Sequence, residues 1–122
     1  MSFDAELLRR IGAAEEVEIE TRRGAGSSLR TTIWIVVADG QVYVRSVRGP
    51  GGKWYRRLRR DPEGALHVGG TRTPVRAMPV GDAAEIERVS EALRRKYARH
   101  RGPLASMLRL DTLPTTLRLE PA

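Results

Sequence analysis

The sequence contains no cysteine. This absence excludes disulfide bonds, thiolate metal ligands and a cysteine nucleophile, and it leaves the redox compartment open. No apolar run approaches the ~20 residues that a membrane-spanning helix needs, and the first residues lack the basic and apolar segments of a secretory signal. We therefore expect a cytoplasmic protein with no membrane partner.

Asparagine is also absent and lysine is rare, because Lys53 and Lys96 are the only two lysines among the 22 basic residues. The formal net charge is +7, and such an excess attracts phosphates, nucleic acid or acidic membrane surfaces. A GC-rich genome also enriches a protein in arginine. The sequence leaves both causes open, a general compositional bias and a selected anion-binding surface.

Six segments have the pattern of β-strands. Residues 16–21 alternate between polar and apolar side chains, and residues 31–38 are nearly all β-branched or apolar. The Asp39-Gly40 pair predicts a hairpin into residues 41–47. Residues 65–68 and 71–80 form a second hairpin, and residues 22–29 form a Gly- and Ser-rich loop. Because antiparallel neighbours of this kind remove their edges by closing, we expect a mainly β fold, a barrel with flanking helices.

We expect one domain over residues 1–122. It has an N-terminal helix within residues 1–14, capped by Ser2, and a barrel core at 16–80 that includes a short helix at 53–60. The Asp61-Pro62 pair ends that short helix. A longer helix, capped by Asp82, occupies 83–98, a helical turn lies near 104–110, and the final strand is 115–119.

Several motifs in this order match a known pattern, namely Arg30-Thr31-Thr32, Tyr43-Val44-Arg45-Ser46, Trp54-Tyr55-Arg56-Arg57-Leu58, Asp61-Pro62 and Val75-Arg76-Ala77. They resemble the split β-barrel flavin-binding proteins related to pyridoxamine-phosphate oxidase, and within them the deazaflavin-dependent nitroreductase branch. Over its whole length the chain is similar to an uncharacterised bacterial family of that clan. The resemblance implies a six-stranded antiparallel split β-barrel of the flavin-reductase type.

The resemblance also implies a function. The expected cofactor is FMN or a deazaflavin, bound in a cleft shared by two subunits of a homodimer, and the expected reaction is hydride transfer to a small acceptor. No catalytic residue can be assigned, and Tyr43, Tyr55 and Tyr97 all stay open as proton donors. The predicted cofactor-binding residues are Arg30, Thr31, Thr32, Ser46, Arg48, Lys53, Trp54 and Arg57.

The chemistry of these side chains suits a phosphate-bearing ring. The planar guanidinium of Arg30 binds phosphate oxygens bidentately. Arg48 and Lys53 bracket a glycine-rich turn at the start of a helix, where main-chain amides are free to face an anion. Trp54 has two interpretations, as a wall beside the ring or as a core residue packed on Leu58. We expect the Arg30 and 48–53 segments to meet at one rim of the barrel.

Other functions are considered as alternatives. One is a non-redox ligand-binding or scaffold protein that has lost the cofactor, and another is a cofactor-free enzyme acting on a small molecule in the same cleft. The basic run at 56–60 beside two aromatic residues is compatible with nucleic acid, but a solvated helix face, or an anion site for the tail of a cofactor, explains it better. His67 and His100 lie 33 residues apart without metal-ligand spacing, and residues 49–53 lack the P-loop pattern.

Overall fold

The computed structural model describes residues 2–122. All strands of these residues belong to one antiparallel sheet of seven strands, in the order β2-β1-β5-β6-β7-β4-β3. The strands are β1 (Val17–Gly24), β2 (Ser27–Ile33), β3 (Val36–Ala38), β4 (Gln41–Val44), β5 (Glu63–Val68), β6 (Thr71–Pro79) and β7 (Leu117–Pro121). The helices are α1 (Ala5–Ala13), α2 (Lys53–Arg60), α3 (Ala83–Lys96) and α4 (Arg101–Met107), with short 3-10 turns at Gly49–Gly51 and Leu113–Thr115.

The sheet curls into a half-barrel of the split-barrel type. Strands β2 and β3 stand at its two ends, yet only Trp34 and Ile35 separate them along the chain. Such a short link brings the two edges of a curled sheet together. The mainly β architecture with flanking helices is therefore confirmed.

The number of strands differs from the predicted six. Residues 31–38 were predicted as one strand, but the structure breaks them at Trp34 and Ile35. The main-chain N–H of Ile35 donates to the Tyr97 hydroxyl at 3.1 Å, and its carbonyl accepts from Lys96 Nζ at 2.7 Å. Because α3 and the residue after it satisfy these backbone groups, the sheet ladder is interrupted there.

The predicted loop at residues 22–29 is wrong. Strand β1 continues to Gly24 and β2 begins at Ser27, so the connection is a tight turn. Glycine and serine suggested a loop, but cross-strand pairing determines the conformation of these residues. The Asp39-Gly40 hairpin is confirmed, since both residues have the positive φ values, 51° and 72°, that this turn requires.

The helix ends are set by local hydrogen bonds. Asp4 rather than Ser2 caps α1, because its carboxylate accepts from the Leu7 N–H at 2.8 Å. Asp82 caps α3 as predicted, accepting from the Glu85 N–H at 2.8 Å. Helix α2 has the predicted bounds, whereas α4 begins at Arg101, three residues before the predicted turn.

Two groups of buried side chains form the core. The larger group fills the barrel and includes Ile19, Leu66 and Leu119, with Trp54 and Leu58 of α2 packed onto it. The second group lies between α3 and the β3–β4 hairpin and includes Val89, Leu93 and Tyr97. Among residues 2–122, no helix has the length and apolar character that crossing a membrane requires.

A polar triad lies on the outer face of the barrel. Glu20 Oε1 is 2.7 Å from His67 Nε2 and accepts from Arg72 Nε at 3.1 Å. Hydrogen bonds from Arg72 first and from His67 second lower the pKa of Glu20 to about 2. His67 is thus a strand residue hydrogen-bonded to Glu20, and it is not part of the lining of the cavity described below.

We expect Glu20→Gln to lower the free energy of unfolding at pH 7 by about 1–3 kcal/mol, because the three hydrogen bonds that the carboxylate makes with Arg72 and His67 are weakened or lost. A carboxyl whose pKa is lowered by folding stabilises the fold above its unfolded pKa, near 4.5. The difference between variant and parent should therefore shrink as the pH falls from about 4.5 towards 2. Urea unfolding across this pH range measures it. Glu18→Gln, on the same strand and paired only with exposed Arg30, is the control and should change stability by less than about 0.5 kcal/mol.

Candidate functional site

A cavity of about 960 Å³ opens between β2, the segment from Arg45 to Trp54, and the start of α4. Seven of the eight predicted cofactor-binding residues line it, namely Thr31, Thr32, Ser46, Arg48, Lys53, Trp54 and Arg57. These residues come from β2, from the turn after β4, and from α2. The barrel brings together three segments that the sequence separates, and their role as ligand contacts stays a prediction.

Arg30 does not belong to this lining. Its neighbours Leu29 and Thr31 line the cavity, whereas the Arg30 side chain is 55% exposed with Nη1 3.4 Å from Glu18 Oε1. Successive side chains of a strand point to opposite faces. The β2 segment reaches the cavity as expected, and Thr32 also lines it, but the guanidinium of Arg30 lies next to Glu18 and is not part of the lining.

The glycine-rich turn before α2 is held tightly. Gly49 has a φ of 72°, and the Ser46 hydroxyl donates to its carbonyl at 2.7 Å. The Ser46 N–H donates to Thr115 Oγ1 at 3.0 Å. A Cβ at Gly52 would lie 2.1 Å from Ser46 Oγ. The Ser46 hydroxyl therefore donates its hydrogen bond within the turn and not to a ligand.

Helix α2 places its cations on the side away from the core. Trp54, Tyr55 and Leu58 are buried, so Lys53 and Arg57 face outward at the cavity. Trp54 packs in the barrel core and also lines the cavity, and its role as a wall beside a ring stays a prediction. The first turn of α2 has no side-chain cap, so its main-chain amides keep their capacity to bind an anion.

Arg57 is a partly buried cation in a positive neighbourhood. Its Nε donates to Thr21 Oγ1 at 2.6 Å. Burial, followed by the positive charges of Arg23 and Arg60, lowers the pKa of Arg57. An anion beside this guanidinium would relieve that repulsion.

Arg45 also lines the cavity and is 2% exposed. Its guanidinium donates to Thr116 Oγ1 at 2.9 Å, to the Met107 carbonyl at 3.1 Å and to the Ile86 carbonyl at 2.8 Å. Burial lowers the pKa of Arg45 to about 10, and within residues 2–122 no carboxylate forms an ion pair with it. The sequence analysis noted Arg45 only as part of a motif. An arginine directly after the apolar run of β4 was the available signal.

The other end of the cavity is aromatic and acidic. The Trp34 ring stacks in parallel on the Tyr97 ring with centroids 3.8 Å apart. His100 Nε2 lies 2.5 Å from Glu15 Oε1, and Trp34, Glu15, Glu16 and His100 all line the cavity. Sequence reasoning missed this group, because 85 residues separate Glu15 from His100 and no spacing pattern connects them.

The three tyrosines considered as proton donors lie outside the cavity lining. The Tyr43 hydroxyl donates to Glu85 at 2.6 Å, and burial raises the pKa of Tyr43 to about 12. The Tyr55 hydroxyl accepts from Arg59 at 3.1 Å. The Tyr97 hydroxyl bonds main-chain groups, and burial raises the pKa of Tyr97 to about 12. The geometry therefore favours none of them as a donor to a ligand in this cavity.

Solved structures with this fold belong to proteins that are named for different functions. An F420-H2 dependent reductase aligns with a TM-score of 0.62 at 16% identity, over 87% of this chain and 94% of its own. A protein of Listeria innocua, assigned as a pyridoxamine 5′-phosphate oxidase, aligns with 0.63 at 14%, over 93% and 87%. The heme storage protein HutZ of Vibrio cholerae aligns with 0.62 at 13%, over 100% and 92%. At these identities the likeness shows the shared split-barrel fold alone.

No curated protein sequence is similar enough to this chain to count as a match. One family model does match, over residues 7–119, from the middle of α1 into β7. That family is described as "Uncharacterized protein conserved in bacteria". The match covers nearly all of the helices and strands described above, and the chain therefore belongs to this bacterial family, DUF2255.

Proposed function

We propose that the cavity binds a planar ligand with an anionic group, and that the ligand is a flavin-type cofactor, FMN or a deazaflavin, used for hydride transfer to a small acceptor. The observation that carries the proposal is the position of the charge. Residues 45–60 contain seven basic and no acidic side chains, so of the 22 basic and 15 acidic residues the remainder of the chain holds 15 of each sign. The net charge of +7 is thus equal to the charge of this segment, and four of its seven cations, Arg45, Arg48, Lys53 and Arg57, line the cavity.

This distribution favours an anion-binding surface over a general arginine bias. Compositional bias enriches arginine along the whole chain, and elsewhere acidic residues match it in number. Between Arg45 and Arg60 nothing of opposite sign is present, although uncompensated neighbouring cations repel each other. An anionic ligand supplies the missing negative charge and explains why this segment carries the excess.

The residues present fit the three parts of a flavin-type ligand. Arg48, Lys53 and Arg57 provide cations for a phosphate or carboxylate. The rings of Trp34 and Trp54 provide apolar walls for a planar ring, and the hydroxyls of Thr31 and Thr32 line the space nearby. When bound, such a ring supplies the hydride. The chain's own residues hold the ligand and keep it in one orientation.

Binding of the cofactor is tested by fluorescence titration of the full chain with FMN and with a deazaflavin of the F420 type. We expect saturable binding of one of them, and we expect Lys53→Gln or Arg48→Gln to weaken it about tenfold or more, as for a lost charged hydrogen bond of about 1.5–3 kcal/mol. Arg30→Gln removes an exposed arginine outside the cavity and is the matched control.

Two results would contradict this proposal. One is a protein that binds neither ring, and the other is an Arg30→Gln variant that weakens binding as much as Lys53→Gln does. A parallel titration with hemin, followed by the shift of its Soret band, distinguishes a heme-binding function of the same cationic cavity. Binding of an anion without redox turnover would instead support the non-redox alternative.

The assembly of the protein is part of the proposal. We propose a homodimer with the ligand cleft at the subunit interface, as the resemblance to the split-barrel flavin proteins implies. Light scattering coupled to size-exclusion chromatography measures the mass of the particle directly, and a monomer at micromolar concentration would contradict the shared cleft. The cytoplasmic location stays a prediction.

A further inference from the structure

We propose that His100 and Glu15 form a proton-transfer pair, with His100 donating a proton to the acceptor that is reduced in the cavity. This inference rests on the proposed redox function and adds a catalytic residue to it. His100 Nε2 and Glu15 Oε1 are 2.5 Å apart, and both side chains line the cavity. The His100 side chain is 40% exposed and that of Glu15 is 55% exposed, so a ligand can reach them.

A single buried residue positions both members of the pair. The Tyr97 hydroxyl donates to the Glu15 carbonyl at 2.7 Å, and the His100 N–H donates to the Tyr97 carbonyl at 2.9 Å. Tyr97 is 1% exposed, and its ring stacks on Trp34, which forms the adjoining wall of the cavity. An ordinary surface ion pair needs no such support. This arrangement holds the imidazole beside the face on which a planar ligand would lie.

The pair lies at the end of the cavity away from Arg57. The β1–β2 pairing shows the distance between the two ends. Near Arg57, Leu29 of β2 is opposite Thr21, whose hydroxyl accepts from Arg57. Near the pair, Ile33 of β2 is opposite Val17, the residue that follows Glu15 and Glu16. Four residues of strand, about 13 Å, separate these two pairs. A ligand whose anionic group is bound near Arg57 therefore extends its other end towards the pair.

Other charged groups face the pair from neighbouring elements. Arg99 Nη2 is 3.9 Å from Glu15 Oε1, and Glu16 adjoins Glu15 in the cavity lining. Lys96 Nζ is held by the Ile11 and Ile35 carbonyls, and burial lowers the pKa of Lys96 to about 8.

The reaction needs one hydride and one proton, so the acceptor must develop a negative charge that the proton neutralises; a conjugated carbonyl compound serves as the test case. A bound, reduced flavin-type ring would supply the hydride to the β-carbon of such a compound and would be oxidised by two electrons, while the C=C electron pair moves to the carbonyl oxygen as an enolate. The His100 imidazolium gives its proton to the resulting enolate and becomes neutral imidazole. Solvent returns the proton to His100. Imidazole suits this role because it exchanges protons near neutral pH.

The first test needs no cofactor. We expect 4-nitrophenol, an analogue of an enolate, to shift the NMR signal of the His100 Cε1–H group in the unloaded protein. The only other histidine, His67, provides an internal control, since it pairs with Glu20 outside the cavity. Glu15→Gln should weaken the response at His100 about fivefold or more. Equal shifts of both histidines, or none at His100, would overturn the proposal.

The second test measures turnover of 2-cyclohexenone by the protein loaded with reduced cofactor. General acid catalysis contributes about 10²–10⁴-fold, so His100→Gln should slow the chemical step at least about 100-fold and flatten its pH profile, whereas His67→Gln should leave both unchanged. If the His100→Gln variant reacts within about twofold of the parent rate, the proton-transfer proposal is refuted, whereas the proposed redox function is not. Failure of the parent to bind either ring refutes the proposed function, while the NMR result still decides whether His100 faces the ligand.

Discussion

Replacing Arg45 by methionine should lower the free energy of unfolding by about 3–5 kcal/mol. The substitution removes three hydrogen bonds at once and leaves their acceptors, Thr116 Oγ1 and the carbonyls of Met107 and Ile86, without their donor. Relief from burying a charge offsets part of the loss. The net effect is still large because these bonds connect β4 to α3, α4 and the segment before β7. Urea unfolding followed by circular dichroism measures it.

Two comparison variants separate the effect of charge from that of geometry. Arg45→Lys keeps the charge but loses the planar fork, so we expect an intermediate loss. Arg88→Met removes an exposed arginine whose one ion pair is with exposed Asp39, and should cost less than about 0.5 kcal/mol. If Arg45→Met cost no more than Arg88→Met, the buried guanidinium would not hold these elements together.

Gly52→Ala should lower the free energy of unfolding by about 2–3 kcal/mol and weaken ligand binding about tenfold or more. The new Cβ would lie 2.1 Å from the buried hydroxyl of Ser46. Relieving that contact breaks the Ser46–Gly49 hydrogen bond or displaces the turn that carries Arg48 and Lys53. Thermal unfolding and the cofactor titration together measure both effects.

A double-mutant cycle checks the cause. Ser46→Ala removes the clashing oxygen, so the double variant Ser46→Ala/Gly52→Ala should be destabilised by about 1–2 kcal/mol less than the sum of the single changes. Gly51→Ala is the neighbouring control, because a Cβ there meets nothing within 4 Å. Strict additivity of the two substitutions, or an equal loss in Gly51→Ala, would show that the predicted contact is not the cause.

Features determined by neighbouring residues could be predicted from the sequence. The Asp39-Gly40 hairpin, the bounds of α2 between Gly52 and Asp61, and the Asp82 cap of α3 all depend on turn and capping preferences over a few residues. The resemblance to split-barrel proteins added the fold and seven of the nineteen residues that line the cavity. The break at Trp34 and Ile35 could not be predicted, since its cause is hydrogen bonding to residues more than 60 positions away.

The sequence by itself determined that the chain is mainly β, where two hairpins turn, and that an uncompensated positive segment follows β4. These properties are local or additive, so they need no knowledge of which parts meet. Only the tertiary structure decided that Arg57 faces the cavity while Arg30 does not, that Arg45 is buried, and that Glu15 meets His100. The curling of the sheet and the two-residue period of the strands set these outcomes, because a shift of one residue turns a side chain to the opposite face.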